Sequence, residues 1–359
     1  MFHITKRKEM PVLQAIAIRV GSIVVALILC GIITTVLTGL NPIDVYASMV
    51  KGAFGTQRKV WTLLQETAIL LCVSLALTPA FRMKFWNLGG EGQLLAGALA
   101  AAACMIKLSG RIQGAALIAV IFVASITAGA LWAVIPAYFK ARWNTNETLF
   151  TLMMNYVATQ LVAYFTIVWE VPKGSGQIGI INQSTEAGWL PQLFGFKYLL
   201  NIVLVAILVV GMYLYLSYSK HGYEISVVGE STDTARYVGI KVEHVIIRTL
   251  LLSGALCGFA GFLLVSGTDH TLTTTIGAGR GFTAVMVAWL AQFDPIVMIA
   301  SSFLIAFMGN GAGEISTTFG LNHSFGDILL GIILFFIIGC EFFINYKLNF
   351  HRKEGEAHV

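Results

Sequence analysis

Five polar side chains stand inside apolar runs of this sequence, where they could bind a solute. Asn87, Glu91 and Gln93 belong to the stretch NLGGEGQ, Asn155 lies within a second apolar run, and Arg280 opens a third. Amides hydrogen-bond to sugar hydroxyls and to the edges of heterocyclic bases. A charged group such as Glu91 costs about 3 kcal/mol when it faces lipid at the bilayer centre, so it must face protein or water. We predict that these five residues line a solute pathway.

The glycines around Glu91 allow a second interpretation. Gly89, Gly90 and Gly92 would let another backbone approach closely, with Asn87 as the helix cap and the carboxylate in the first turn, where negative charge is favoured. Glu91 would then satisfy nearby N–H groups and the glycines would serve helix packing. Both interpretations, packing and pathway, stay open at this stage.

A weak internal repeat relates this stretch to a later one. When GGEGQLLAGALAA is laid over AGRGFTAVMVAWL, Glu91 falls on Arg280 and Gly92 falls on Gly281. Internal repeats are common in transporters, whose binding sites lie at the interface between the repeats. The overlay predicts that Glu91 and Arg280 come near each other or line one cavity from opposite halves. Coincidence between two glycine-rich helix starts is the alternative.

Several kinds of chemistry have no motif in this chain. It contains no GxxxxGK[ST] phosphate-binding loop, no HExxH, no GxSxG and no Cys/His metal cluster, so we expect no ATPase site, no metal and no cofactor of its own. The five cysteines all lie in apolar stretches, which predicts buried free thiols. The sequence has no basic stretch with interleaved aromatic residues, so we expect no nucleic-acid partner.

The composition places these residues in a membrane protein. Hydrophobic residues make up 57% of the 359 residues and charged residues only 11%, against about 25% charged in soluble domains. Apolar runs of about 20 residues recur along the chain, and each is long enough to span a bilayer. The predicted fold is therefore all-α: a polytopic membrane helix bundle of about ten transmembrane segments, with broken or half helices and a weak internal repeat. The predicted helices cover 17–39, 61–80, 87–107, 113–137, 147–169, 198–217, 245–266, 281–292, 295–310 and 326–346.

Loops and breaks divide the chain further. Pro295 cannot continue a helix and Asp294 is a natural N-cap, so we predict a break between 292 and 295. A second break is predicted at MGNGAGEI, Met308 to Ile315. The predicted domains are a cytoplasmic tail at 1–16, a transmembrane domain at 17–346 and a second cytoplasmic tail at 347–359, with an external loop at 170–197 and a cytoplasmic loop at 217–248. The first apolar run has no signal-peptide cleavage site after it, and we expect it to be retained.

The distribution of basic residues predicts the orientation. Ten crossings place both termini on one side of the membrane. Of the 23 Lys and Arg residues, 15 fall on the side of the termini and 8 on the other. Because cytoplasmic loops are enriched in Lys and Arg, both termini are predicted to be cytoplasmic.

The cytoplasmic loop carries a short pattern of its own. STDTARYVG begins with the capping residues Ser231, Thr232 and Asp233 and stops at Gly239, which predicts one short helix. A capped helix that protrudes from a membrane bundle is suited to a groove on a partner protein. A solvated connector between two spans is the alternative.

Two stretches resemble a known family. VVGESTDTARYVGIKVEHVIIRTLLLSGALCGFAG looks like the coupling segment of permease subunits of bacterial ABC importers, in the branch that serves nucleosides, simple sugars and branched-chain amino acids. NLGGEGQ is similar to the Asn-Ile-Gly-Ala-Glu-Gly-Gln signature of the nucleoside-type permeases, with Leu88 in place of Ile and Gly90 in place of Ala. The resemblance covers roughly 41–341, and Thr234 stands where the family often has Ala. It implies that the residues which dock on the ATPase are Gly229, Glu230, Asp233, Ala235, Arg236, Tyr237, Gly239 and Ile240.

The resemblance implies a function and a set of partners. The chain would be a permease subunit without its own ATPase, located in the bacterial plasma (inner) membrane. It would pair with a second permease subunit, identical or different, and with ABC ATPase subunits that bind the ATP. An extracellular solute-binding lipoprotein would deliver a nucleoside, with simple sugars as the runner-up. A different class, an ion-coupled secondary transporter, would use Glu66 and Glu91 as a relay within the membrane.

Overall fold

Helices make up almost all of the structure. The computed structural model describes residues 2–6 and 11–350 of the chain. Two short strands, β1 (Phe2–Lys6) and β2 (Tyr346–Phe350), pair antiparallel and bring the two ends of the described chain together. The helices are α1 (Val12–Thr38), α2 (Pro42–Phe54), α3 (Gln57–Arg82), α4 (Gly90–Leu108), α5 (Gly114–Trp143), α6 (Glu147–Val168), α7 (Leu199–Tyr218), α8 (Lys220–Glu230), α9 (Thr232–Tyr237), α10 (Val242–Leu264), α11 (Arg280–Leu290), α12 (Val297–Phe319) and α13 (His323–Asn345).

The helices have the lengths and apolarity that a membrane requires. Within the described residues, eight of them are long and apolar enough to cross a bilayer, and two shorter apolar segments cover Arg280–Leu290 and Ser324–Cys340. Together they correspond to the ten predicted runs, so the predicted all-α polytopic bundle is confirmed. All five cysteines are free, and four of them are buried. Parts of the two predicted tails, 1–16 and 347–359, lie outside the described residues.

The chain divides into two compact units. The first comprises Met1–Val60 and Phe307–Val359. In this unit α1 packs against α13, and the hydroxyl of Ser22 donates to the carbonyl of Phe336 at 2.6 Å. An ion pair at 2.8 Å joins Lys59 to Glu314.

The second unit, Trp61–Ala306, contains the predicted site residues. Its core is α10, which packs against both α5 and α4. Small residues let these helices approach each other: Gly129 of α5 contacts the backbone of Gly254 and Gly258 on α10. Close backbone contact of this kind is how membrane helices pack, because lipid gives no hydrophobic drive for their association. A π-helical turn (Val265–Asp269) extends α10.

Three sequence predictions need correction. The helix α2 was not predicted, because it is too short and too polar to form an apolar run; Asn41 caps it and Pro42 occupies its first turn. Likewise α8 was assigned to a loop, although Ser219 caps it. The predicted break at Met308–Ile315 is wrong: α12 continues through these residues, and Gly309 and Gly313 lie in open space.

The predicted external loop is ordered by contacts with helix ends. The N–H of Leu190 donates to the carbonyl of Ser266 at 2.8 Å, and the N–H of Ile181 donates to that of His270 at 2.8 Å. The indole of Trp189 stacks on the His270 ring with centroids 3.8 Å apart, and its N–H donates to the carbonyl of Ile181. The segment between α6 and α7 is therefore fixed to the end of α10.

Candidate solute pathway and cytoplasmic docking segment

A buried polar network fixes the irregular segment that leads into α4. The side-chain oxygen of Asn87 accepts from the N–H of Gly89 at 3.0 Å and from the Gln93 amide at 3.1 Å, and its NH2 donates to Ser253 on α10 at 3.1 Å. α4 begins at Gly90 and its N-cap residue is Gly89, without a side-chain cap. The prediction that Asn87 caps the helix is therefore wrong. Asn87 lies two residues before the N-cap and fixes the segment that leads into the helix.

Asn155 belongs to the same network from the opposite side. Its side-chain oxygen accepts the N–H of Gly92 at 2.8 Å, and its NH2 donates to the carbonyl of Leu88 at 2.8 Å. Asn87, Gln93 and Asn155 are all buried. In this structure their hydrogen bonds go to other parts of the chain, although the Gln93 oxygen Oε1 is buried without a partner in the described residues. These amides position the start of α4, and a contact with solute stays a prediction.

Glu91 joins the beginning of α4 to the beginning of α11. Its carboxylate accepts the N–H of Gly279 at 3.1 Å and the N–H of Gly281 at 2.7 Å. The carboxylate therefore takes up N–H groups that a helix N-terminus leaves unpaired, at the positive end of the helix dipole. The two helices touch here through glycine, since a side chain at Gly281 would collide with the backbone of Glu91. Glu91 therefore satisfies nearby N–H groups, as the packing interpretation predicted, and its place in a solute pathway stays a prediction.

Arg280 comes close to Glu91 in the backbone but not through its side chain. Its guanidinium nitrogen Nη2 lies 2.6 Å from the Glu66 carboxylate of α3, and Nη1 donates to the carbonyl of Ile276 at 3.0 Å. The repeat overlay thus paired two helix starts that do meet. It did not identify Glu66 as the partner of Arg280. The available signal was that an acidic residue inside an apolar run requires a cation, and Arg280 is the cation of a neighbouring run.

The carboxylates of Glu91 and Glu66 offset an unfavourable positive charge at the start of α11. An arginine in the first turn of a helix stands at the positive end of the dipole, which is unfavourable. Glu91 on the backbone and Glu66 on the side chain oppose that charge from α4 and α3. The outcome is a short helix whose start is fixed inside the second unit by two other helices.

The predicted docking helix forms as the sequence indicates. α9 starts after Ser231, whose hydroxyl accepts the N–H of Thr234 at 3.2 Å. It stops at Gly239, which adopts φ +84° and donates its N–H to the carbonyl of Arg236, while Ile240 donates to Ala235. A positive φ is the usual end of a helix and suits glycine. The predicted start and stop are both confirmed.

The eight residues predicted to dock, between Gly229 and Ile240, fall into a buried set and an exposed set. Ala235 is completely buried and Gly229 lies against the backbone of Arg82 at the end of α3. Tyr237 is 92% exposed and Val238 is 58% exposed. The remaining predicted docking residues are exposed or half-buried, namely Glu230, Asp233, Arg236, Gly239 and Ile240. Val238 was not predicted, although an apolar residue directly before the helix stop was a usable signal.

The same segment is tied to the rest of the second unit at its base. Arg248 at the start of α10 pairs with Glu224 of α8 at 2.9 Å. A cleft of about 560 Å³ opens beside α9, and its charged lining includes Lys84, Lys140, Glu147, Glu230, Arg236 and Glu243. Gly229 links α8 to the backbone at 82–83, which is directly followed by the segment that Asn87 holds. Contacts therefore join α9, through α8 and the backbone at 82–83, to the segment that leads into α4.

Comparison with known proteins gives a consistent result. A family model described as the permease component of branched-chain amino acid transport systems matches residues 60–338. The chain is 27% identical to the glucose ABC transporter permease protein TsgB13 of Haloferax volcanii, over 98% of this chain and 95% of the relative. It is 27% identical to the guanosine ABC transporter permease protein NupP of Bacillus subtilis (90% and 93%) and 24% identical to the nucleoside ABC transporter permease protein NupB of Lactococcus lactis (89% and 90%). No solved structure matches the chain.

Proposed function

The chain belongs to the family of permease components of branched-chain amino acid transport systems, and we propose that it carries a nucleoside-type solute across the bacterial plasma membrane. It is the membrane permease of an ABC transporter. Two relatives similar over about nine-tenths of the chain are named for guanosine and nucleosides, which supports the nucleoside. A simple sugar is the second candidate, because a relative similar over 98% of the chain is named for glucose.

The proposal assigns the energy source to a partner. The sequence has no phosphate-binding loop, so ATP would be hydrolysed by a separate ATPase subunit. A second permease subunit would complete the membrane part, and an external binding protein would deliver the solute. The pairing of β1 with β2 supports termini on one side of the membrane, and the basic loops favour the cytoplasm for that side.

One observation carries the coupling role: the large side chains of Tyr237, at the end of α9, and Val238, directly after it, are exposed in the described chain. Tyr237, which stands almost fully in solvent beside Val238, is the kind of aromatic side chain that dominates binding energy when a partner buries it. The base of the segment contacts the ends of α3 and α10, through Gly229 and Arg248. ATP-driven movement of the partner would thus be passed from α9 to the helix starts inside the bundle.

An ion-coupled secondary transporter has less support. Such a carrier needs acidic groups in the membrane that are free to take up and release ions. Glu91 is bound to two backbone N–H groups and Glu66 to Arg280. Both candidate relay groups are therefore engaged within the protein.

The test of the coupling role compares two exposed tyrosines on neighbouring helices. Tyr237→Ala should lower ATP-driven uptake in proteoliposomes about tenfold or more, because loss of a central aromatic anchor typically costs 2 kcal/mol or more of binding. Tyr223→Ala is the matched control on α8, where Tyr223 is 66% exposed and lies outside the predicted docking residues. It should retain uptake within about twofold.

Two readouts separate coupling from folding. The Tyr237→Ala permease should extract from membranes in normal yield but retain less ATPase subunit on purification than the Tyr223→Ala permease does. Equal uptake by the two variants would refute the docking role of α9. Uptake that follows an imposed ion gradient without ATP would refute the permease assignment itself.

A further inference from the structure

The ion pair between Glu66 and Arg280 is exposed at a depth where exposure is costly. Glu66 is the ninth residue after Gln57, the first residue of α3, which places it about 14 Å along the helix at 1.5 Å per residue. The Glu66 side chain is 32% exposed and that of Arg280 is 16% exposed. Neither charge is stable against lipid at this depth. The exposed edge of the pair is therefore expected to face water or another protein surface rather than lipid.

The pair keeps hydrogen-bonding capacity on its exposed edge. The Oε2 atom of Glu66 accepts a hydrogen bond from the guanidinium nitrogen Nη2 of Arg280, while Oε1 accepts no hydrogen bond from the described part of the chain. Arg280 directs its other terminal nitrogen to the carbonyls of Ile276 and Gly277, which fixes the plane of the guanidinium. The result is an oriented carboxylate oxygen next to a guanidinium; the two side chains together carry no net charge, and Asp269 and Lys197 lie within electrostatic range.

The arrangement is rigid before any ligand arrives. The N–H groups on both sides of Arg280, those of Gly279 and Gly281, are held by the Glu91 carboxylate. Arg280 thus extends from a helix start that α4 fixes, toward an acid that α3 fixes. Preorganised groups of this kind lose little entropy when they bind a ligand.

The ion pair suits a neutral ligand with hydroxyl groups better than it suits a ligand that carries charges of both signs. A zwitterionic amino acid would compete with both members, and binding it would require the 2.6 Å contact to open. A neutral vicinal diol can donate to the free oxygen of Glu66 and accept from the guanidinium while the pair stays closed. Building on the proposed function, we propose that Glu66 and Arg280 contact the vicinal hydroxyls of a ribonucleoside or sugar as it passes through the permease.

The proposal also gives a reason for the two candidate substrate classes. Glucose and guanosine differ in size and in ring chemistry, yet both carry adjacent hydroxyl groups. One diol contact in the membrane would serve both, while the external binding protein would distinguish them. The contact can be weak, because the permease must release what it binds.

The test uses a pair of solutes that differ by one hydroxyl. ATP-driven uptake of guanosine and of 2′-deoxyguanosine, which lacks the vicinal diol, is measured in proteoliposomes with the complete transporter. Glu66→Gln should lower guanosine uptake about tenfold, as expected for loss of a charge-assisted hydrogen bond, and deoxyguanosine uptake less than about threefold. Because the binding protein is the same in every sample, its own preference cancels when each variant is divided by wild type.

Two further variants keep the test decisive. Arg280→Lys retains the positive charge but loses the planar fork, and it should also reduce guanosine uptake more than deoxyguanosine uptake. Glu314→Gln is the control: it removes the carboxylate of another membrane-helix ion pair, with Lys59 at 2.8 Å, and should change both uptakes by the same factor.

The outcomes separate this proposal from the one on which it rests. Equal loss of both uptakes in Glu66→Gln and Arg280→Lys, or no loss in either variant, overturns the diol contact and leaves the nucleoside permease intact. If wild type takes up valine and neither guanosine nor glucose, the nucleoside and sugar assignments fail, and the diol contact fails with them.

Discussion

α9 and α11 are both short helices with capped beginnings, but their caps come from different places. Ser231, directly before α9, accepts the N–H of Thr234, three residues on. Gly279, directly before α11, has no side chain to offer, and Glu91, from a position 188 residues earlier, accepts its N–H and that of Gly281. The first cap needs only its own segment. The second joins two distant parts of the chain.

The difference in capping goes with a difference in what each helix exposes. α9 is complete in itself and turns Tyr237 outward, where a partner can bury it. At the start of α11, by contrast, polar groups turn inward and bind other helices. A helix such as α9 can move together with a partner that binds it, whereas the start of α11 fixes the positions of α3 and α4 around it. Gly229, on the helix directly before α9, lies against the backbone at 82–83, which precedes the segment leading into α4.

The largest effect should follow from filling the glycine contact between α4 and α11. In Gly281→Ala the new Cβ would meet the backbone nitrogen and, at 2.8 Å, the Cα of Glu91, and backbone atoms cannot move aside as a flexible side chain can. We expect a loss of about 2–3 kcal/mol, typical of overpacking, and a thermal midpoint in detergent several degrees lower. Gly211→Ala is the control, because nothing lies within 4 Å of that site on α7. Equal midpoints for the two variants would show that the junction is not tightly packed.

A smaller effect on folding, but a clear one on transport, is expected from Glu91→Gln. The amide keeps one oxygen as an acceptor and presents its NH2 to the second backbone N–H, so one charge-assisted bond is lost. Uptake per folded transporter should fall about tenfold while the yield of folded protein changes less.

The control for that experiment is another carboxylate that holds two backbone N–H groups. Glu170 accepts from Gly174 at 2.8 Å and from Gly176 at 2.9 Å, in the exposed loop after α6, and these bonds hold the pKa of its carboxyl below the usual value. Glu170→Gln should leave uptake unchanged within about twofold, as surface substitutions usually do. If Glu91→Gln also transports normally, Glu91 has only a packing role.

The origin of each cap also determines how far each helix start could be predicted from the sequence. The start and stop of α9 depend on residues within nine positions, so the pattern from Ser231 to Gly239 was sufficient. The same local signals were present for α2, in Asn41 and Pro42, and for α8, in Ser219, but a search for apolar runs passes over short amphipathic helices. The repeat overlay brought Glu91 and Arg280 together correctly in the backbone. The overlay could not identify Glu66 as the partner of Arg280, because Glu66 lies on α3, outside the two stretches that were compared.

The smallest effect on the membrane helices is expected from a contact that lies outside the membrane spans. His270 follows the last residue of the α10 span and stacks on Trp189 of the external loop. Burial, with Lys197 nearby, lowers the pKa of His270 from 6.5 to about 4. While the external loop is docked, with Trp189 stacked on His270, the histidine is neutral between pH 6.5 and about 4. When the loop is released, His270 binds a proton in this range. Docking should be constant above about pH 7 and should weaken as pH falls from 6.5 toward 4, by up to about 3 kcal/mol.

His270→Phe isolates this titration, since it keeps a ring to stack on Trp189 and removes the ionisable group. The measurement is the rate at which an added protease cleaves within 170–198, taken for wild type relative to His270→Phe at the same pH, so that the protease's own pH dependence cancels. The ratio should rise as the pH falls from 7 to 5, because protonation releases the wild-type loop and leaves the variant's loop docked. If the ratio stays constant, His270 titrates normally while docked, and the loop is then held by its backbone hydrogen bonds to Ser266 and His270 rather than by the stack.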